Sequence, residues 1–379
     1  MNNETIYDCA IIGGGLAGLT LAIQLAKQDH KIILFEKEQY PFHKVCGEYI
    51  SLESWDFLER LGLPLGEMDL PIIKDLEVSS PDGTVLQEAL PLGGFGISRY
   101  KIDNELKDIS KQLGVTILEN CKTEEVFLIN DLFHIQTSSG KFKSRICCGS
   151  FGKRSNLDIK WKRSFIHKAN NKLNNYIGVK YHIQTDFATN KIALHNFKNG
   201  YCGISRIEEG KYCLCYLTNA ANLKDNDNSI EQMEKSILSA NPFLKNIFEN
   251  STKLYKQPLS ISQISFQQKT QVENNILMIG DAAGMITPLC GNGMSMAMHG
   301  GKIACGYIDE YLRGNISRKQ MEGNYTKEWN KTFGKRLRTG RLIQRFFGKE
   351  WMTNLFVRTM KLFPSLTRWL IKQTHGERF

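Results

Sequence analysis

The chain has 379 residues, 41% of them hydrophobic, enough for two domains with substantial cores. No charged segment leads into an apolar one before the first strand at about Ile6, and no run of about eighteen apolar residues occurs anywhere. The expectation is therefore a cytoplasmic protein without a membrane span. The ten cysteines form no C-x-x-C pair and no group with histidines at metal-ligand spacing, so they read as small buried hydrophobes in a reducing compartment, and no metal is expected.

Cys9-Ala10-Ile11-Ile12 reads as a buried strand that runs into Gly13, Gly15 and Gly18, with Leu16 and Ala17 opening a helix. A second strand, Ile32 to Phe35, ends in Glu36 and Lys37. This is the pattern of a dinucleotide site. Gly13 allows a tight turn, Gly15 lets the backbone approach a pyrophosphate, Gly18 lets helix and strand pack closely, and Glu36 stands where a carboxylate meets an adenosine ribose. NAD and FAD sites share this unit.

Further along, Leu76 to Val85 reads as a hairpin turning at Asp82-Gly83, followed by a helix over 101–113. Strands are expected at Tyr176–Ile183, Ile192–Phe197, Tyr201–Ile207 and Lys211–Tyr216, then a surface loop over 219–228 and a helix over 229–239. Ile276 to Ile279 is a short buried strand ending in Gly280 and Asp281, and Pro288, Gly291, Asn292, Gly293 and Met294 lead into a helix of small apolar residues. A carboxylate there can hold the ribityl hydroxyls of a flavin, and a second helix start can face its ring, which selects FAD over NAD.

The net charge of +10 is concentrated at one end. Lys331 to Phe379 holds twelve basic and two acidic residues, while residues 1–330 are formally neutral. Leu342, Phe346, Trp351, Leu355, Met360 and Phe363 recur at helical spacing in this segment, as on a basic amphipathic helix that lies on an anionic membrane or folds back on the protein. Without a recognisable nucleic-acid-binding fold, no nucleic-acid partner is expected.

Lys44-Val45-Cys46-Gly47-Glu48, together with Arg99-Tyr100-Lys101-Ile102-Asp103 and the two glycine motifs, resembles the FAD-dependent group that contains the aromatic hydroxylases and the geranylgeranyl-reductase-like flavoproteins. That resemblance implies an α/β fold: a Rossmann-like FAD-binding domain of the GR2 type (residues 1–75, 98–164 and 266–310), an inserted antiparallel-sheet substrate domain (76–97 and 165–265), and C-terminal helices (311–379). It places Lys44 and Arg99 near the FAD phosphates, Asp281 on the ribityl chain and Gly291 to Met294 under the ring. Cys46 and Glu48 are the implied catalytic residues.

Three departures matter. Phe151 stands where the hydroxylases carry an aspartate, which weakens the case for direct use of NADPH or NADH as electron donor; the reductase signature Y-x-W-x-F-P is missing; and no W-x-W-x-I-P motif points to halogenation. The leading expectation is a monooxygenase that hydroxylates a lipophilic aromatic or polyketide-type substrate with reduced flavin and O2. The alternatives are a reductase that saturates C=C bonds with electrons from a protein donor, and a non-catalytic membrane-associated FAD-binding protein. Tyr201 and Arg206 are assigned to the substrate sheet; His182, His195 and His299 read as structural or surface residues.

Overall fold

The structure, a computed structural model, describes residues 5–167, 175–264, 266–286, 291–346, 349–374 and 376–379. In chain order the elements are β1 (Ile6–Ile12), α1 (Leu16–Ala26), β2 (Ile32–Phe35), β3 (Tyr49–Ser51), α2 (Trp55–Leu61), β4 (Ile72–Ser79), β5 (Val85–Gly96), α3 (Arg99–Gln112), β6 (Thr116–Leu118), β7 (Thr123–Ile129), β8 (Leu132–Thr137), β9 (Gly140–Gly149), α4 (Asn156–Lys160) and α5 (Ser164–His167). They continue with β10 (Tyr176–Gln184), β11 (Lys191–Phe197), β12 (Gly200–Arg206), β13 (Tyr212–Asn219), α6 (Ala220–Lys224), α7 (Ile230–Ser236), α8 (Pro242–Asn250), β14 (Thr252–Lys253), β15 (Leu259–Ile264), β16 (Val272–Glu273), β17 (Ile276–Met278), α9 (Gly293–Leu312), α10 (Arg318–Phe346), α11 (Glu350–Leu362) and α12 (Pro364–Thr374).

The first sheet runs β16-β17-β9-β1-β2-β6, with the β7–β8 hairpin joined through β9. β1 pairs in parallel with β2 and β9, and β17 pairs in parallel with β9. Both faces of these strands are covered, so Cys9 to Ile12 and Ile32 to Phe35 are continuously apolar and buried. α1 packs on this sheet and against α9, where Gly301 brings the two backbones close: a Cβ there would lie 3.1 Å from the Ala17 carbonyl oxygen.

The second sheet, β14-β10-β13-β12-β11-β4-β5-β3 with β15 on β10, is antiparallel except where β4 meets β11. Its strands alternate. Val179, Tyr181, Ile183, Ala193, Phe197, Leu214 and Tyr216 build a core with Met233, Leu238 and Leu244 on one face. The other face carries Gly178, Lys180, His182, Cys213 and Tyr201 and turns toward the first domain and α11.

The strands expected in this sheet and the hairpin turning at Asp82-Gly83 are present, Gly83 having φ 84°. Two expectations are corrected. The loop expected over 219–228 contains α6, where Asn219 caps the helix by accepting from Ala221 N–H and Asn222 is buried with its amide on Thr218 Oγ1 and Lys198 O. The boundary expected at residue 75 falls inside β4, and β3 also belongs to the second sheet, because both strands find their backbone partner in β5.

His195 is 1% exposed, shares a 2.9 Å hydrogen bond with Ser79 Oγ and stacks on Phe243. Burial holds its pKa down to about 4. A folded value below the unfolded ~6.5 means that its contribution is complete above ~6.5 and is lost as pH falls toward 4. Urea unfolding should show a loss of stability over this window that is about 1–3 kcal/mol smaller in His195→Asn than in the wild type; equal pH dependence would refute the assignment.

Candidate active site

The site begins at the turn after β1. Gly13 has φ 103°, and a Cβ there would stand 2.6 Å from Ser150 O; one at Gly18 would stand 2.2 Å from Gly13 O. Gly15 is different. Its φ of −84° suits any residue, and a Cβ would meet only the tips of Arg99 (Nη2, 3.5 Å) and Lys44 (Nζ, 3.7 Å). Bare backbone at the start of α1 thus faces two cations, a cradle with the charge and shape for a pyrophosphate. Leu16 and Ala17 follow as buried residues, Ala17 packing under Gly280.

Glu36 turns back into this loop: Gly14 N–H donates to its Oε2 at 2.8 Å and Glu38 N–H to its Oε1 at 3.1 Å. Its carboxylate is thereby oriented beside the turn. Lys37, expected among the ligands, instead points to solvent beside Glu38, 71% exposed at its side chain, because the strand end has already delivered its inward position to Glu36.

Arg99 and Lys44 are held by one residue that sequence reasoning missed. Asp103 accepts from Arg99 Nε at 2.8 Å and Nη2 at 2.7 Å, and from Lys44 Nζ at 3.1 Å. Burial pushes the Asp103 carboxyl up, but the charges of Arg99 and Lys44 outweigh it and hold it below the usual range. The i,i+4 spacing of Arg99 and Asp103 on α3 was the available signal.

Asp281 lies in the turn after β17, opposite this cradle. Burial raises its carboxyl, partly countered by Lys269, Arg99 and Lys153. Lys269 donates to the carbonyls of Asp281 (2.8 Å) and Lys153 (2.7 Å) and so ties this turn to the loop after β9. Gly280 has φ 62° and Gly291 φ 65°, Gly291 lying against the Tyr49 ring. Asn292 and Gly293 begin α9, and Met294 is buried in its first turn. Pro288 lies outside the described residues.

Cys46 stands over this helix start, its Sγ 3.6 Å from Met294 Sδ. Burial raises the thiol above its ordinary value, against the pull of Arg99, so it stays protonated. Two residues on, Glu48 has a left-handed backbone, φ 55°, and a completely buried side chain. Its Oε1 accepts from Arg99 N–H at 2.8 Å, the first amide of α3, and from Lys180 Nζ, while its Oε2 is 2.6 Å from His182 Nε2. Burial would raise the carboxyl; the His182 hydrogen bond and the Lys180 charge hold it low. Lys180 also donates to Lys44 O, and the Cys213 thiol to Cys46 O at 3.2 Å.

His182, expected from the sequence to be structural or surface, is therefore part of the site, and so is Lys180, which no sequence motif marks. Their signal is the strand period: alternate positions 178, 180 and 182 of β10 all reach the first domain. Glu48, His182 and Cys213 bring ligand-type atoms within 4.8 Å of one another, yet the Lys180 ammonium already takes the place of a cation there. Tyr201 lies on the same sheet face, packed with Leu217 and Phe266. Arg206 does not: five residues along the strand, alternation turns it to the opposite face. His299 stacks on Phe379 at 4.2 Å, as a structural residue. Phe151 faces Trp161 at 6.2 Å between ring centroids.

These contacts separate the three glycines. Gly15→Ala should fold normally but lose on the order of a hundredfold in FAD affinity, the worth of two charge-assisted contacts. Gly18→Ala should fail to fold stably. Flavin titration and thermal melts of the two variants check this; an FAD-replete Gly15→Ala protein would refute the cradle.

Residues 11–45 match the NAD(P)-binding Rossmann-like domain family. The chain is 24% identical over 364 residues to conditioned medium factor receptor 1 of Dictyostelium discoideum, covering 88% of this chain and 69% of that protein. It is 23% identical over 372 residues to digeranylgeranylglycerophospholipid reductase 1 of Methanococcoides burtonii, covering 90% of this chain and 84% of the reductase. Its fold superposes on that of the flavin-dependent brominase Bmp2 with a TM-score of 0.79 at 21% identity, over 98% of this chain and 93% of the brominase. The chain thus has a Rossmann-like dinucleotide-binding domain and, along almost its whole length, the fold of that flavin-dependent brominase.

Proposed function

We propose that this chain is an FAD-dependent oxidoreductase that saturates a C=C bond in a lipophilic substrate held between α9 and the second sheet. The single observation carrying this reading is the half-buried Cys46 thiol set against the buried cluster of Glu48, Lys180 and His182 beside the start of α9. FAD fits the residues present: the Gly15 cradle with Arg99 and Lys44 takes the pyrophosphate, Glu36 the ribose, Asp281 the ribityl chain, and Gly291 to Met294 the ring edge. When bound and reduced, the flavin supplies a hydride to one alkene carbon.

The second alkene carbon then needs a proton, and two electrons must come from an external donor, a nicotinamide or a redox protein. The Cys46 thiol, kept protonated by burial, is the proton donor at Sγ. Reprotonation of its thiolate is served by the adjoining charged group, where Lys180 holds protons at Nζ and Glu48 fixes both Lys180 and His182 in place. The apolar sheet face around Tyr201, Leu194 and Leu217 excludes water from the reacting carbons.

Hydroxylation with O2 is the second reading. It is favoured by the missing Y-x-W-x-F-P signature and by the same dry sheet face, which an oxygen-transferring flavin also requires. Anaerobic turnover separates the two: saturated product formed without O2 supports reduction, whereas product that appears only with O2 and carries its oxygen atom supports hydroxylation. In the reductase reading, Cys46→Ala should retain FAD and lose about a hundredfold or more in kcat, with partial recovery in Cys46→Ser. An unchanged kcat in Cys46→Ala would sink the assigned role.

A further inference from the structure

α11 and α12 each have two unlike faces. Inward, Val357 and Met360 meet Val78 and Leu86, and Ile371 joins Tyr49, Ile73 and Leu90, so both helices lie on the second sheet. Outward, Trp351 (64% exposed), Leu355 (59%), Leu362 (74%), Phe363 (56%), Leu366 (43%) and Trp369 (57%) stand in water. The spacing of Trp351, Leu355 and Leu362 along α11 is that of one helix face, opposite the Thr353-Val357-Met360 face. So much uncovered aromatic and leucine surface on adjacent helices is not ordinary surface composition.

Charge accompanies this ridge. Of the basic residues after residue 330, Arg336, Arg358 and Arg378 reach Glu53, Asp82 and Asp56. Among the described residues, Lys349, Lys361, Arg368 and Lys372, which border the exposed aromatic and leucine side chains in sequence, have no carboxylate partner. Apolar rings and leucines flanked by unpaired cations complement one kind of surface, in which hydrocarbon lies just beneath a layer of negative headgroups. No described helix is long and apolar enough to cross a membrane, which fits a helix pair lying in the plane of the interface.

We propose that the outer face of α11 and α12 docks on an anionic phospholipid bilayer, with Trp351, Leu362 and Trp369 entering the headgroup layer and Lys361, Arg368 and Lys372 meeting lipid phosphates. Because the inner faces of the same helices lie on the sheet face that carries Lys180 and Cys213, docking sets the membrane beside the candidate active site. The inference holds whichever redox reaction the site performs.

The test uses the full FAD-loaded chain with vesicles of phosphatidylcholine, with and without phosphatidylglycerol, read by co-sedimentation and by quenching of tryptophan fluorescence with brominated lipid. The expected result is sedimentation with phosphatidylglycerol vesicles, about tenfold weaker on phosphatidylcholine alone and weakened by salt. Brominated lipid should quench the wild-type fluorescence, a readout that needs no variant. Leu362→Glu combined with Trp369→Glu should lower binding about tenfold or more while flavin content stays unchanged. No sedimentation with any vesicle would overturn the proposal. So would a wild-type dimer that the double variant converts to monomer, since the ridge would then be a contact between two copies of this chain.

Discussion

The rest of the site depends on the buried Glu48 carboxylate. It touches the first amide of α3, the side chains of Lys180 and His182 on β10, and, through the Lys180 contact with Lys44 O, the segment that carries Cys46. A bare carboxylate in that position would be prohibitively costly; two cationic or donor side chains and a helix N-terminus make it tolerable. Removing any one partner would leave a buried charge uncompensated, typically about 3–5 kcal/mol. The left-handed backbone at Glu48 belongs to the same arrangement, since a non-glycine residue keeps such a conformation only where its surroundings over-determine it.

Glu48 is thus an orienting residue more than a reacting one. Its two oxygens bind one domain to the other at the point where a flavin ring and a substrate would meet. Asp103 plays the corresponding part at the phosphate end, holding Arg99 and Lys44 together on one carboxylate beside Gly15. Between them the two acids set where Arg99, Lys44 and Lys180 stand.

The glycine turn, Glu36, the Gly280-Asp281 turn and the strands of the second sheet could be read from the chain because each has a local cause: a forced backbone angle, a close approach or an alternating pattern. Lys180 and His182 could not. Their role appears only once β10 is in register with β13 and the sheet is laid against residues 44–48, contacts separated by more than 130 residues. Arg206 shows the same limit from the other side: it is adjacent in sequence to residues of the site-facing surface, and one step of the pleat removes it. The C-terminal segment was readable as amphipathic, but which stripe would be covered depended on the sheet it meets.

The order of strands in the first sheet has a consequence for how the protein is made. β1 finds its neighbour β9 only after more than a hundred further residues, and β9 finds β17 after more than a hundred again. A ribosome that has released the whole glycine motif has therefore released a strand whose flank stays open until β9 emerges, and β9 in turn waits for β17. Contacts so distant in sequence close slowly, and the apolar strands stay exposed to aggregation meanwhile. Within the second sheet β10 to β13 are joined in sequence by short connections and can pair with little delay, whereas β4 meets β11 only after more than a hundred residues. The strands β10 to β13 should thus be the early scaffold in biogenesis, against which β4 and β5 and then the strands of the nucleotide-binding sheet are completed.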